Sequence, residues 1–303
     1  MDDATLCGLR VRSFHYLPDL TVWQYGGRPP DVLIERASIG DLEHKPTDNQ
    51  ISLLTFASPD GSWIFEAPGL AIFRVSEGRS IRVAMAEAVH CEDINGLVLG
   101  PVFGVLFRQR NLITLRATTI AYADGAVAIC GDIGIGKSAT GYVLAQSGLR
   151  LMSDGVTVLS PNSEQRMSDV LSTHRTFRLW QAAVESLKIP KADIFQERSS
   201  LPKFTIRLDA AVFDAVSVQP LRHIFILTKR GDLARSRQEA DIPSTLVRRL
   251  YRQLYVDEAH SAGVSEANLK KACRDLCNSC QVHILPMVGG RDAAKAILNT
   301  ILQ

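Results

Sequence analysis

The chain has 303 residues, 46% of them hydrophobic, enough to bury one large core or two smaller ones. A formal net charge of +2 excludes a polybasic nucleic-acid binder, which needs a concentrated positive face. The longest nearly unbroken apolar run, residues 96–107, contains Pro101 and falls short of the ~20 residues of a membrane span. Met1-Asp2-Asp3 lacks the charged-then-apolar order of a signal peptide, so a soluble, cytoplasmic protein without a membrane or nucleic-acid partner is expected.

From residue 8 to about residue 90, short alternating or β-branched runs recur: Leu9–Phe14, Val32–Arg36, Ile51–Phe56, Trp63–Phe65, Leu70–Val75 and Ile81–Met85. Turn-forming Gly-Gly, Pro-Asp-Gly-Ser and Glu-Gly-Arg separate them, which predicts a small β-rich unit over residues 1–94. The second unit is predicted over residues 95–303. It opens with a helix at Asn95–Arg110 and a strand at Leu112–Tyr122. After the turn Ala123-Asp124-Gly125, the run Ala126–Cys130 is a strand and Lys137–Gln146 a helix closed by Gly148. Strands follow at Leu149–Met152 and, across a tight turn, Val156–Leu159. Phe177–Leu187 is expected to be helical, Phe204–Leu208 extended and His223–Leu227 a buried strand. Helices at Ser244–Tyr255 and Ser265–Cys280 flank a strand at Val282–Leu285, and Arg291–Leu302 closes the chain as an amphipathic helix.

Between the strand ending at Cys130 and the helix starting at Lys137, Gly131-Asp132-Ile133-Gly134-Ile135-Gly136-Lys137-Ser138 fits G-x-x-x-x-G-K-[ST] at every fixed position. Strand, glycine loop and helix are the context in which that pattern binds phosphate. The loop backbone, from Gly131 through Asp132, Ile133, Gly134, Ile135 and Gly136 to Lys137, Ser138 and Ala139, would wrap a polyphosphate with its N–H groups, helped by the helix dipole. Lys137 would reach the β/γ-phosphates and Ser138 would hold Mg²⁺.

Asp154 lies 17 positions after Lys137, at the carboxyl end of the next predicted strand. Ligands bind beyond the carboxyl ends of strands in open α/β sheets, so a carboxylate there can coordinate Mg²⁺ or take a proton. Asp154-Gly155 is equally readable as a hairpin turn. Cys273, Cys277 and Cys280, with His283 beyond, superficially suggest a metal site. Yet Leu269, Cys273, Leu276 and Cys280 repeat at three- and four-residue intervals, which favours thiols on the apolar face of a helix opened by Ser265. Cys7, Cys91 and Cys130 suggest no disulfide framework.

Two strands joined by a short turn, a glycine loop, a helix and a Gly-x-x-Leu-x-x-Asp strand resemble the HPr serine kinase/phosphorylase family, with its phosphoenolpyruvate-carboxykinase-like fold. The resemblance extends to Leu106-Phe107-Arg108-Gln109-Arg110-Asn111, to Thr176-Phe177-Arg178-Leu179-Trp180 and to Lys203 in Leu201-Pro202-Lys203-Phe204. The last two are similar to short relatives found with lasso-peptide and capsule biosynthesis. It covers residues 96–230, with only a general similarity before them. Two departures stand out. Arg116 replaces the family's histidine before the loop, and Asp154-Gly155 keeps only the first of two paired aspartates.

The resemblance implies an α/β fold of the P-loop kinase type behind a β-rich N-terminal unit. It implies ATP and Mg²⁺ as cofactors, with phosphate transfer to a serine of a peptide or small protein; a homo-oligomer is a possible assembly. Asp154 would act as base, as metal ligand together with Ser138, or as both. Lys137, Arg178 and Lys203 would complete the catalytic set, chosen from the cations Arg175, Arg178, Lys203 and Arg207. A nucleotide-binding module without turnover is the alternative that Arg116 and Gly155 leave open. A guanine-nucleotide switch is disfavoured because no D-x-x-G follows the loop and the aspartate in Thr228-Lys229-Arg230-Gly231-Asp232 comes one residue late. A transport ATPase is disfavoured because Phe225-Ile226-Leu227 ends in Thr-Lys. The basic residues Lys229, Arg230, Arg235, Arg237, Arg248, Arg249 and Arg252 read either as a grip for an acidic or phosphorylated peptide or as a solvated face.

Overall fold

In the computed structural model, apolar residues alternate along short strands in the first third of the chain and then form a fully buried run in the strand that precedes the glycine loop. The described residues are 1–22, 28–42, 54–162, 167–174, 176–197, 202–208, 218–229, 243–254, 266–286 and 288–303, and they form a mixed α/β fold. Two units separate, one holding Met1–Thr114 and the other Leu115–Leu254 with Ala267–Gln303.

The first unit contains β1 (Asp2–Leu6), β2 (Leu9–Ser13), β3 (Thr21–Val22), β4 (Val32–Arg36), β5 (Leu54–Ala57), β6 (Trp63–Ala67), β7 (Ala71–Ser76) and β8 (Ser80–Met85). They form one sheet in the order β3-β1-β2-β4-β8-β7-β6-β5. Period-2 patterning sets its faces: Val32 and Ile34 of β4, and Ile81 and Val83 of β8, are buried, while their neighbours are less so. Ile51 to Leu53 of the predicted strand Ile51–Phe56 lie outside the described residues.

Helices α1 (Cys91–Leu97) and α2 (Phe103–Gln109) are joined by a π turn, Val98–Val102, that holds Pro101. A proline lacks the N–H that a regular helix needs, and the wider turn absorbs the defect. The predicted boundary at residue 94 moves to Thr114 because this helical stretch is anchored on the first sheet. Gln109 accepts from Gly78 N–H at 2.8 Å and donates to the Val75 oxygen, while Arg110 donates to the oxygens of Gly78 and Asp31. The predicted strand 112–122 is also interrupted: β9 (Ile113–Leu115) and β10 (Ala117–Tyr122) are separated at Arg116.

The second unit continues with β11 (Gly125–Gly131), α3 (Lys137–Gln146), β12 (Arg150–Asp154), β13 (Thr157–Asn162) and β14 (Met167–Leu171). Then come β15 (Thr176–Trp180), α4 (Gln181–Leu187), β16 (Ile194–Glu197), β17 (Lys203–Arg207) and β18 (Val218–Leu227). The last elements are α5 (Pro243–Tyr251), α6 (Glu266–Ser279), β19 (Gln281–Leu285) and α7 (Arg291–Ile301). Pairing runs β12-β10-β11-β18-β14-β13, with β19 on β18. Because β10 is antiparallel to both β11 and β12, those two strands run the same way, and β18 and β19 run with them. Four carboxyl ends, at Gly131, Asp154, Leu227 and Leu285, therefore share one edge of the sheet.

Two expectations fail here. The segment 177–187 is not a single helix: Thr176–Trp180 is a strand paired with β17, and only Gln181–Leu187 is helical. Phe177 and Leu179 point into the core while Arg178 and Trp180 do not, a period of two rather than 3.6. Nor is Asp154-Gly155 a hairpin turn. β12 pairs with β10 while β13 pairs with β14, so the chain changes partners at that point. The hydroxyl of Thr157 lies 2.8 Å from that of Ser153 and 2.7 Å from that of Thr119, a buried cluster that holds the crossover.

Helix α3 packs against β10, β15 and α7, which is why Thr140, Gly141, Tyr142, Leu144 and Ala145 are all buried. Tyr142 meets Phe177 edge-on, with ring centroids 5.8 Å apart. Gly141 allows the close approach, since a Cβ there would collide with Thr118 Cγ2 and lie 3.1 Å from Phe177 Cε1. Gly141→Val is expected to destabilise the protein by about 1–3 kcal/mol through overpacking. Urea denaturation measures this, and wild-type stability would show that α3 does not depend on the contact.

Candidate functional site

The loop leaves β11 at Gly131 and enters α3 at Lys137. Its tip is solvent-facing, with Ile133 82% exposed, whereas Ile135 is buried beneath it. Lys137 folds back over the loop, and its ammonium donates to the Gly131 oxygen at 2.8 Å and to the Asp132 oxygen at 2.9 Å. Burial lowers its pKa, opposed by the negative fields of Asp154 and Asp132 and reinforced by repulsion from Arg116. Ser138 and Gly136 are half-buried in the first turn, and Ala139 is buried behind them.

Asp154 reaches the same edge through strand register. Thr118 of β10 stands opposite Ile129 on one side and opposite Asp154 on the other. The Asp154 carboxylate, in a residue only 5% exposed, accepts the Thr118 hydroxyl at 2.6 Å and the main-chain N–H of Arg178 at 2.9 Å. A buried carboxylate with a donor on each oxygen is fixed in orientation and keeps further lone pairs. Asp154 and Ser138 supply the oxygen donors that Mg²⁺ prefers, with the remaining positions left to phosphate and water. Among the described residues, no group of three His, Cys, Asp or Glu could hold a metal by itself.

Of the predicted cations, Arg178 enters the site through its main chain. Its side chain shares a face of the β15–β17 pair with Lys203, because Arg178 pairs with Thr205 and Trp180 with Lys203. Lys203 Nζ lies 5.4 Å from the centre of the Trp180 ring. Arg207, opposite Thr176, is on the same face. Arg175, Arg230, Arg235 and Arg237 lie outside the described residues, as does Ser265. Cys273 is buried on the apolar face of α6, burial pushes its thiol and that of Cys280 up to about 12, and Cys280 donates to the Leu276 oxygen. His283 pairs instead with His223, ring nitrogens 3.2 Å apart.

Two contacts escape the sequence. Gln253, just beyond α5, accepts the Gly131 N–H on its side-chain oxygen at 2.9 Å and the Arg116 N–H on its main-chain oxygen at 2.7 Å. The Gly289-Gly290 pair before α7 holds the other end of the loop. Gly289 donates to the Ile135 oxygen at 2.7 Å, and Gly290 donates to the Thr140 hydroxyl, which itself donates to the Gly136 oxygen. A Cβ on Gly289 would collide with the Gly136 carbonyl, and one on Gly136 would lie 2.8 Å from the Gly289 Cα. A glycine pair opening a helix was the only local signal, and nothing near Gln253 marks it.

No family model and no curated protein matches the chain. Among solved structures, the HPr(Ser) kinase/phosphatase from Coxiella burnetii is similar at a TM-score of 0.26 and 16% identity, over 38% of this chain. The match spans 65% of that protein, less than two thirds of its length.

The packing at Gly289 generates a direct expectation. Gly289→Val should push the loop from its seat and lower the melting temperature. Differential scanning calorimetry of the variant measures the effect; a wild-type melting temperature would mean that the loop holds its shape unaided.

Proposed function

We propose that this chain is an ATP-dependent kinase that transfers the γ-phosphate to a serine hydroxyl of a peptide or small protein. The observation that carries the reading is the convergence of Lys137, the loop amides and the oriented carboxylate of Asp154 on one edge of the sheet. The motif resemblance supports both the kinase class and the peptide acceptor. Phosphoryl transfer is mostly positioning and charge neutralisation, and the groups present suit both tasks. The loop N–H groups and Lys137 would bind the polyphosphate, and Ser138 and Asp154 would hold Mg²⁺, which would supply neutralisation of phosphate charge. Asp154, kept in place by Thr118 and the Arg178 amide, accepts the proton of the attacking hydroxyl. Arg178 and Lys203 orient the acceptor from the β15–β17 face. A nucleotide-binding module without turnover is the second reading, favoured by the donor already resting on each Asp154 oxygen and by Gly155 in place of a second carboxylate.

Mutation of the loop and of the base separates the two. Lys137→Ala is expected to abolish the Mg-ATP-dependent rise in melting temperature, and an unchanged rise would refute the phosphate-loop reading. Asp154→Asn is expected to keep ATP binding while transfer of γ-label to a serine-containing peptide encoded beside this chain falls by about 10² to 10⁴. Wild-type protein that binds ATP but labels no peptide would favour the module.

For the acceptor side, Arg178→Ala and Lys203→Ala should each lower peptide labelling while ATP affinity stays within a few-fold, and the labelling should weaken as salt rises. Label appearing only on a free sugar or small metabolite would remove the peptide assignment and leave the kinase reading standing.

A further inference from the structure

We propose that Arg116 is a second cation on the bound polyphosphate and that Gln253 is the residue that positions it, an inference that rests on the nucleotide-binding reading of the loop. Register places Arg116 there. Ala117 pairs with Cys130, so Arg116 stands across from Gly131, the first residue of the loop. The strand is interrupted at this residue, between β9 and β10, and its N–H leaves the ladder to bond the main-chain oxygen of Gln253 at 2.7 Å.

The same Gln253, only 7% exposed, takes the Gly131 N–H on its side-chain oxygen at 2.9 Å. One buried residue thus fixes the spacing between the strand that carries Arg116 and the start of the loop. An antiparallel bridge between Leu115 and Leu254 secures the next residue on each side, so the clamp is three contacts deep.

A triphosphate carries enough negative charge to engage both Lys137 and Arg116. A guanidinium adds a planar fork that matches two phosphate oxygens, which an ammonium cannot do.

Titration calorimetry of the full chain with Mg-ATP tests this. Arg116→Ala is expected to weaken binding about tenfold or more, as loss of a charged hydrogen bond does, with Arg116→Lys in between. Gln253→Met keeps the bulk of the side chain, removes the acceptor for Gly131 and should also weaken binding. In the Gln253→Met background, the further loss from Arg116→Ala should be several-fold smaller than in the wild type, the signature of one residue acting through the other. If Arg116→Ala does not fold, Arg116→Gln removes the charge at similar length and carries the same expectation. ATP affinity within twofold of wild type in the Arg116 variants would overturn the proposal, and so would equal losses in both backgrounds. Should Lys137→Ala abolish ATP binding while Arg116 variants bind normally, only the role of Arg116 falls; should Lys137→Ala bind normally, the loop reading falls first.

Discussion

The carboxylate of Asp154 is the point through which three separate parts of the second unit are tied together. Its oxygens take a hydroxyl from β10 and an amide from β15, and its field reaches the ammonium of Lys137 at the head of α3. A carboxylate this buried would be unfavourable without such donors. Satisfied as it is, it orders its surroundings: Thr118 aligns β10 with β12, and the Arg178 amide pins the small sheet of β15, β17 and β16 to the end of β12. The main chain of that small sheet is thereby fixed against the carboxyl end of β12. The site and the packing of the unit are one arrangement.

The loop is shaped from outside as much as from within. A glycine loop alone can adopt many backbone conformations, and ordering it loses entropy that local contacts must offset. Here the loop is held at its start by Gln253 and at its end by Gly289 and Gly290. Both anchors come from segments more than a hundred positions away in the chain. Their effect is to settle the conformation of the loop before any ligand arrives, which reduces the ordering that binding must accomplish.

What the sequence made legible follows from this division. The strand, loop and helix of residues 126–146 are local, and every cue lies within about twenty residues: an apolar run, three glycines, a lysine and a closing glycine. Asp154 was legible as a position at a strand end, but not as a crossover, because the choice between a hairpin and a change of partner is made by Thr119, Ser153 and Thr157 acting across strands. Phe177–Leu187 misled for a different reason. Leu179, Ala183 and Leu187 satisfy a helical spacing while Phe177 and Leu179 satisfy an alternating one, and only the presence of β17 decides between them. The unit boundary was misplaced because Gln109 and Arg110 reach the turns of the first sheet, a choice of partner that composition does not encode. Gln253 was invisible and Gly289 showed only as part of a glycine pair before a helix, since their meaning lies in what they touch.

Lys137 shows how the arrangement can be both stable and ready for a ligand. An ammonium has three N–H donors and no acceptor. Two of the three are engaged by the Gly131 and Asp132 oxygens, the carbonyls that turn toward the helix as the loop bends. Those bonds compensate the partial burial that lowers its pKa, and they hold the side chain across the loop instead of letting it extend into solvent. The third donor completes the set without requiring either of the first two to break. A phosphate oxygen bound there would meet a cation whose rotamer is already fixed, so the entropy of placing the charge is lost on folding rather than on binding. Asp154, held by two donors of its own, is prepared in the same way on the opposite side. Charge of both signs, the Lys137 ammonium and the Asp154 carboxylate, is thus held at one end of the sheet by hydrogen bonds made on folding.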